Sequence, residues 1–199
     1  PPPPIQQRTK KIVQNLSSRQ QHRRIFSCED KKDKMTHQTQ KYPSRLKIFT
    51  LKEKAEVENK LKEQFGVKKV EGLLITRGEG EERLFLYQGS FNPKQIQEIE
   101  QTLPVERVGI YFGKEVNDKI RLSIEGTQLL SSQITKNIFE LNEQQAEEWM
   151  LGRELQIITE KKDFLVIKYK NHFLGTGKAS ELKISNFIPK NRRLKNKEN

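Results

Sequence analysis

The side chains best suited to chemistry in this chain are three histidines, one cysteine and a lysine that follows a Gly-x-Gly. His22 and His37 fall in a stretch with no structural pattern, and His172 stands at a candidate turn. No two of them are placed to share a metal or to serve a nucleophile. Cys28 lies in the same unpatterned stretch, where no fixed base can lower its pKa. Gly177-Lys178 invites a phosphate-loop reading, but that motif needs Gly five positions before its second Gly and Ser or Thr after Lys. Those positions hold His172 and Ala179. Gly78-Glu79-Gly80 is acidic and makes a poor phosphate cradle. Glu143, Glu147 and Glu148 read as the wet side of a helix rather than an acid/base pair. The expectation is no catalytic residue, no metal, no cofactor and no enzyme activity.

A Gly-x-Gly-Lys stretch feeding a basic ending remains: Gly175, Thr176, Gly177 and Lys178, then Lys190, Arg192, Arg193 and Lys195. Glycines without side chains let a ligand's backbone approach the main chain closely. Lys178 offers a point charge to a phosphate, and arginine can fork onto two phosphate oxygens. These eight residues are the candidate binding site. The competing reading is that both glycines only bend a strand.

The charge distribution agrees with a polyanion partner. Of 199 residues, 38 are Lys or Arg and 26 are Asp or Glu, a net charge of +12. Residues 1–42 carry net +7 and residues 190–199 net +4, so the excess sits at the two ends. Such an excess bears on association, or on solubility alone, and not on fold. Apolar residues make up 33 % and the mean hydropathy is −0.86. No apolar run approaches the ~18 residues of a membrane span. One cysteine excludes a disulfide framework within the chain. A reducing compartment is expected, the cytoplasm, or the nucleus or nucleolus in a eukaryote.

The elements that must position these residues begin near Tyr42. Residues 1–42 hold nine apolar side chains and read as a disordered basic tail, with Met35 a candidate natural start and 1–34 upstream of it. Thr50-Leu51-Lys52-Glu53 is a capping box. Leu51, Ala55, Val57, Leu61 and Phe65 then suggest one helical face, and Gly66 a left-handed stop. Val67–Ile75 and Arg83–Gln88 read as strands, Asn92-Pro93 opens a second helix, and Pro104 ends it. Val108–Phe112 and Ile120–Ile124 read as strands flanking the Asn117-Asp118 turn. A second, mostly β unit follows: a short strand within Ile134–Leu141, a helix capped by Asn142, strands at Leu155–Ile158 and Phe164–Tyr169, and a turn at Asn171-His172. The fold class is α+β, with a module at 43–131, a β-rich domain at 132–195 and a tail at 196–199.

Phe173-Leu-Gly-Thr-Gly-Lys178, Leu182-Lys-Ile-Ser-Asn186 and Pro189-Lys-Asn-Arg-Arg193 resemble PUA and PUA-like RNA-binding domains. The spelling is particularly similar to the PUA-like ending of RNA cytosine-5 methyltransferases. Val108-Gly-Ile-Tyr-Phe-Gly-Lys114 with Lys119-Ile-Arg-Leu-Ser-Ile124 resembles the pre-PUA module of small Nip-type ribosome-biogenesis factors. The resemblance implies a small pre-PUA module packed on a PUA pseudo-barrel. It implies RNA (rRNA or tRNA) as partner, with the glycine phrase and the basic ending as its contact face. The methyltransferases' catalytic cysteines and methyl-donor domain have no counterpart here. A non-catalytic RNA-binding protein of ribosome biogenesis or RNA modification is therefore expected, with pre-ribosomal or RNA-modification proteins as further partners. The alternative is a targeting subunit working in trans with a separate modification enzyme.

Overall fold

Thr50 decides where the first helix begins. Its hydroxyl accepts the Glu53 N–H at 3.3 Å, and the Glu53 carboxylate accepts the Thr50 N–H at 2.8 Å. Helix α1 (Leu51–Phe65) runs from this cap to Gly66, whose φ of 78° closes it. Val57, Leu61, Gln64 and Phe65 form its buried face. Leu51 is 89 % exposed and Ala55 is also outside, so the apolar stripe starts later than their spacing suggested. Our computed structural model describes residues 45–78 and 82–195. The expectations for residues 1–42, Met35 and the 196–199 tail lie outside the described residues.

Five strands form an antiparallel sheet in sequential order: β1 (Lys47–Ile48), β2 (Leu73–Thr76), β3 (Arg83–Tyr87), β4 (Ile110–Val116) and β5 (Lys119–Leu122). Its residues alternate between two cores, as the period of two in a strand requires. Leu74, Leu84, Leu86, Phe112, Ile120 and Leu122 face the core that includes α1. Ile75, Leu73 and Tyr87 face the other side with Ile96 of helix α2 (Pro93–Thr102). Asn92 caps α2, accepting the Gln95 N–H at 2.9 Å, with Pro93 at its first position. The β4–β5 hairpin turns at Asn117 and Asp118, with φ of 49° and 62°. Both fit the left-handed positions of a two-residue hairpin loop.

The second sheet has the order β6 (Ile138–Glu140), β7 (Phe164–Tyr169), β8 (His172–Ala179), β9 (Ile184–Asn186). Strands β6 and β7 are parallel, joined through helix α4 (Glu143–Met150), and the other pairs are antiparallel. Along β7, Phe164 and Val166 enter the core shared with the first sheet. Leu165 and Ile167 enter a separate core with Trp149 and Ile184. The fold is α+β, with a β-rich second part.

Several elements differ from the sequence expectation. Residues 67–72 are irregular, and only Leu73–Thr76 is strand. Ile124 opens helix α3 (Ile124–Leu129) instead of ending a strand, because the Ser123 hydroxyl accepts the Gly126 N–H at 2.9 Å. The 155–158 stretch makes a single bridge, Leu155 to Ile184. The β7–β8 turn uses Lys170 and Asn171, with Lys170 at φ 51°, and His172 already belongs to β8.

Candidate nucleic-acid interface

The glycine phrase lies within β8, not in an open bend. Gly175, Thr176 and Gly177 are all buried. Thr176 pairs with Val166, Gly177 with Leu165 and Asn186, and Lys178 with Phe164 and Ser185. The Gly175 N–H donates to Thr127 Oγ1 at 3.2 Å, and the Thr176 hydroxyl donates to Leu122 O at 2.8 Å. A Cβ on Gly177 would lie 2.5 Å from Ile184 Cγ2 and 2.8 Å from Trp149 Cη2. Gly175, at φ 88°, lies under Ile124. The glycines do admit a close approach, but what approaches is the chain itself. Trp149 is fixed by an indole N–H bond to Leu174 O at 3.1 Å. The expectation of glycine-bared main chain open to a ligand is therefore corrected at Gly177, which Trp149 and Ile184 cover.

Lys178, next on the strand, is exposed. It lines a recess with Asn117, Lys119, Lys162, Asp163 and Phe164. Lys119 pairs with Asp163 at 2.7 Å, and Lys162 pairs with Glu181. Among the described residues, Lys178 has no carboxylate partner.

A second groove, about 430 Å³ counting its open mouth, lies between the end of β5, α3 and the segment after β9. Its floor is apolar, with Leu122, Ile124, Leu174 and Ile188. Its charged groups are Arg121, Glu125 and Arg192, and its aromatics are Tyr111 and Phe187. The Arg121 guanidinium carbon stands 4.4 Å from the Phe187 ring centroid, within cation–π range. Phe187 also meets Phe164 at 6.3 Å between centroids, which puts the groove beside the lysine recess. Arg192 is ion-paired with Glu125. Phe112 is fully buried while its neighbour Tyr111 is half-exposed in the groove, its ring 5.9 Å from Phe85.

The eight residues singled out in the sequence are thus dispersed. Gly175, Thr176 and Arg192 line the groove, and Lys178 lines the recess. Lys190 and Lys195 are exposed and line neither. Arg193 folds back, its Nε donating to Ile188 O at 3.0 Å and its side chain lying over Gly152. The sequence reading missed Lys119, Arg121, Glu125, Lys162 and Phe187. A signal did exist for two of them. Lys119-Ile120-Arg121-Leu122 alternates charge with apolar side chains, so both cations share the outer face of β5.

Residues 136–194 match the family described as Methyltransferase RsmF PUA domain. The chain is similar to the ribosomal RNA small subunit methyltransferase F of Psychromonas ingrahamii, 26 % identical over 133 residues, 64 % of this chain and 26 % of that protein. It is also similar to the protein of that name from Aeromonas salmonicida, 25 % identical over 99 residues, 49 % of this chain and 21 % of the relative. The chain thus spans about a quarter of the length of these relatives. An alignment of 133 residues cannot fit between 136 and 199, so the first likeness also reaches upstream into the five-stranded sheet. Residues 136–194, under a third of this chain, are thus similar to the PUA domain of RsmF-type methyltransferases.

Proposed function

We propose that this chain is a non-catalytic RNA-binding module that docks structured ribosomal RNA for a modification reaction. The observation that carries the reading is that a segment matching the RsmF PUA domain packs against β5, so that Phe187 and Arg192 of the one and Arg121 of the other stand beside the Lys119–Lys162–Lys178 recess. Cations supply long-range capture, and shape decides where a folded RNA settles, since RNA helices are read largely through phosphates, 2′-hydroxyls and form. The relatives' printed name, a small-subunit rRNA methyltransferase, supports ribosomal RNA as the target class. It also supports the second reading, in which this module targets a methyltransferase working with it in trans.

The test is the salt dependence of binding to small-subunit rRNA hairpins. With four to six phosphates engaged, log K falls against log salt with a slope of roughly −3 to −5. Replacing Lys178 and Lys190 together by Ala lowers affinity for every hairpin and flattens that slope by about 1.5. A salt-independent affinity overturns the reading. Methyl transfer to RNA by the purified chain alone overturns its non-catalytic part. Stimulation of a separate methyltransferase on addition of the chain favours the targeting role.

A further inference from the structure

We propose that the groove between Tyr111, Arg121, Phe187 and Arg192 holds one unstacked guanine, with Glu125 accepting hydrogen bonds from its Watson–Crick edge. The inference rests on the RNA-binding reading and names what one part of that surface recognises. A groove meant only for phosphates would be lined by donors. This one has an apolar floor and carries a half-buried carboxylate at its side. Glu125 can only accept hydrogen bonds when ionised, and it repels phosphate. An apolar floor beside an arginine-covered aromatic instead suits the π-face of a base. Phe187 is 37 % exposed, and its Arg121 neighbour extends the stacking surface with a second planar group.

The choice of base follows from the acceptor. Ser123 and Thr176 have their hydroxyls committed, to Tyr111 O at 2.6 Å and Leu122 O at 2.8 Å. The charged groups and the Tyr111 hydroxyl are therefore left to read the ligand. Guanine presents two parallel donors, N1–H and the 2-amino group, which match the two oxygens of a carboxylate. Adenine and cytosine present one amino group beside a ring nitrogen acceptor, and uracil one N–H between two carbonyls. Each of these sets a lone pair against Glu125. In the free protein Glu125 is occupied by Arg192, an ion pair whose side chains are 32 % and 53 % exposed and so costs little to open. On binding, Glu125 exchanges Arg192 for guanine, and Arg192 turns to the nucleotide's phosphate.

The experiment measures affinities of the full chain for seven-residue RNAs, uridine throughout except for a central G, inosine, A, C or U. Guanine binds at least about fivefold tighter than A, C or U, the low end for a bidentate base contact. Inosine, without the 2-amino group, falls between. Glu125→Gln removes the preference and weakens the guanine strand. Phe187→Leu weakens all five while leaving the melting temperature near the wild-type value. If Glu125→Gln tightens all five strands equally, Glu125 merely repels phosphate and the proposal is overturned. Preference for another base overturns it too. When rRNA hairpins bind with the expected salt slope but the short strands show no guanine preference, this inference alone fails. When neither hairpins nor strands bind, the RNA-binding reading fails and takes this one with it.

Discussion

Gly177 shows what a single residue can and cannot announce. Its missing side chain makes room for Trp149 and Ile184, both fully buried. Gly177→Ala forces a Cβ to within 3 Å of both, and overpacking of this kind costs ~1–3 kcal/mol. The expected outcome is a lower melting temperature and altered Trp149 emission, with RNA affinity of the folded protein unchanged. A variant that kept its stability and lost affinity would restore the ligand-facing role. In the sequence, Gly-x-Gly-Lys said that something comes close to the chain there. It could not say whether a ligand or a tryptophan 28 positions earlier does so. The two neighbouring arginines were equally indistinguishable. Arg192 stands in the groove, while Arg193 anchors the last described residues against Gly152 and Ile188.

At the scale of elements, the legible features were those whose chemistry is local. The caps at Thr50, Asn92 and Asn142 each bond a backbone N–H three residues on, so sequence alone places them. Strand β1 has two residues and exists only because Lys47 and Ile48 pair with Thr76 and Ile75. Helix α3 is six residues long, too short for a periodic pattern, and is held by β4 and β8. Neither could be read without the partner. The α1 cap yields a test. Lys47, with the Thr50 N–H and hydroxyl, lowers the Glu53 pKa from the ordinary 4.5 to about 2. A lowered carboxylate pKa stabilises the fold fully above the unfolded value and loses its effect as pH falls through the folded one. Glu53→Gln therefore lowers the melting temperature at pH 7, and the gap to wild type closes between pH 4.5 and 2. Thr50→Ala costs ~1 kcal/mol at neutral pH, the usual loss for a helix cap. Thermal melts across that pH range check both, and a gap that persisted at pH 2 would contradict the assignment.

Across the whole molecule, one apolar cluster runs through the boundary between residues 131 and 132. Phe164 and Val166, within the segment similar to the RsmF PUA domain, share one apolar cluster with Val57, Leu61 and Phe65 of α1 and with Phe112 and Ile120 of the first sheet. Polar bonds span the same seam. Asn137 Nδ2 donates to Gln64 O at 2.7 Å, and the Thr176 hydroxyl donates to Leu122 O at 2.8 Å. The candidate groove lies across this seam too, with Tyr111 and Arg121 from one sheet and Phe187 and Arg192 from beyond the other. Its geometry therefore depends on both parts staying docked. Phe164 is the side chain to remove, being 4 % exposed and placed at the junction, beside Phe187. Phe164→Ala costs ~3–5 kcal/mol by leaving a cavity. If the two parts share a core, amide exchange accelerates in β2 and β3 as much as in β7 and β8, and Trp149 fluorescence and far-UV ellipticity still melt together. If each part carried its own core, exchange in β2 and β3 would stay slow while the second sheet loosened, and two transitions would separate. The same variant also weakens RNA binding at temperatures where the chain remains folded, because Phe187 loses the ring that holds it beside Arg121.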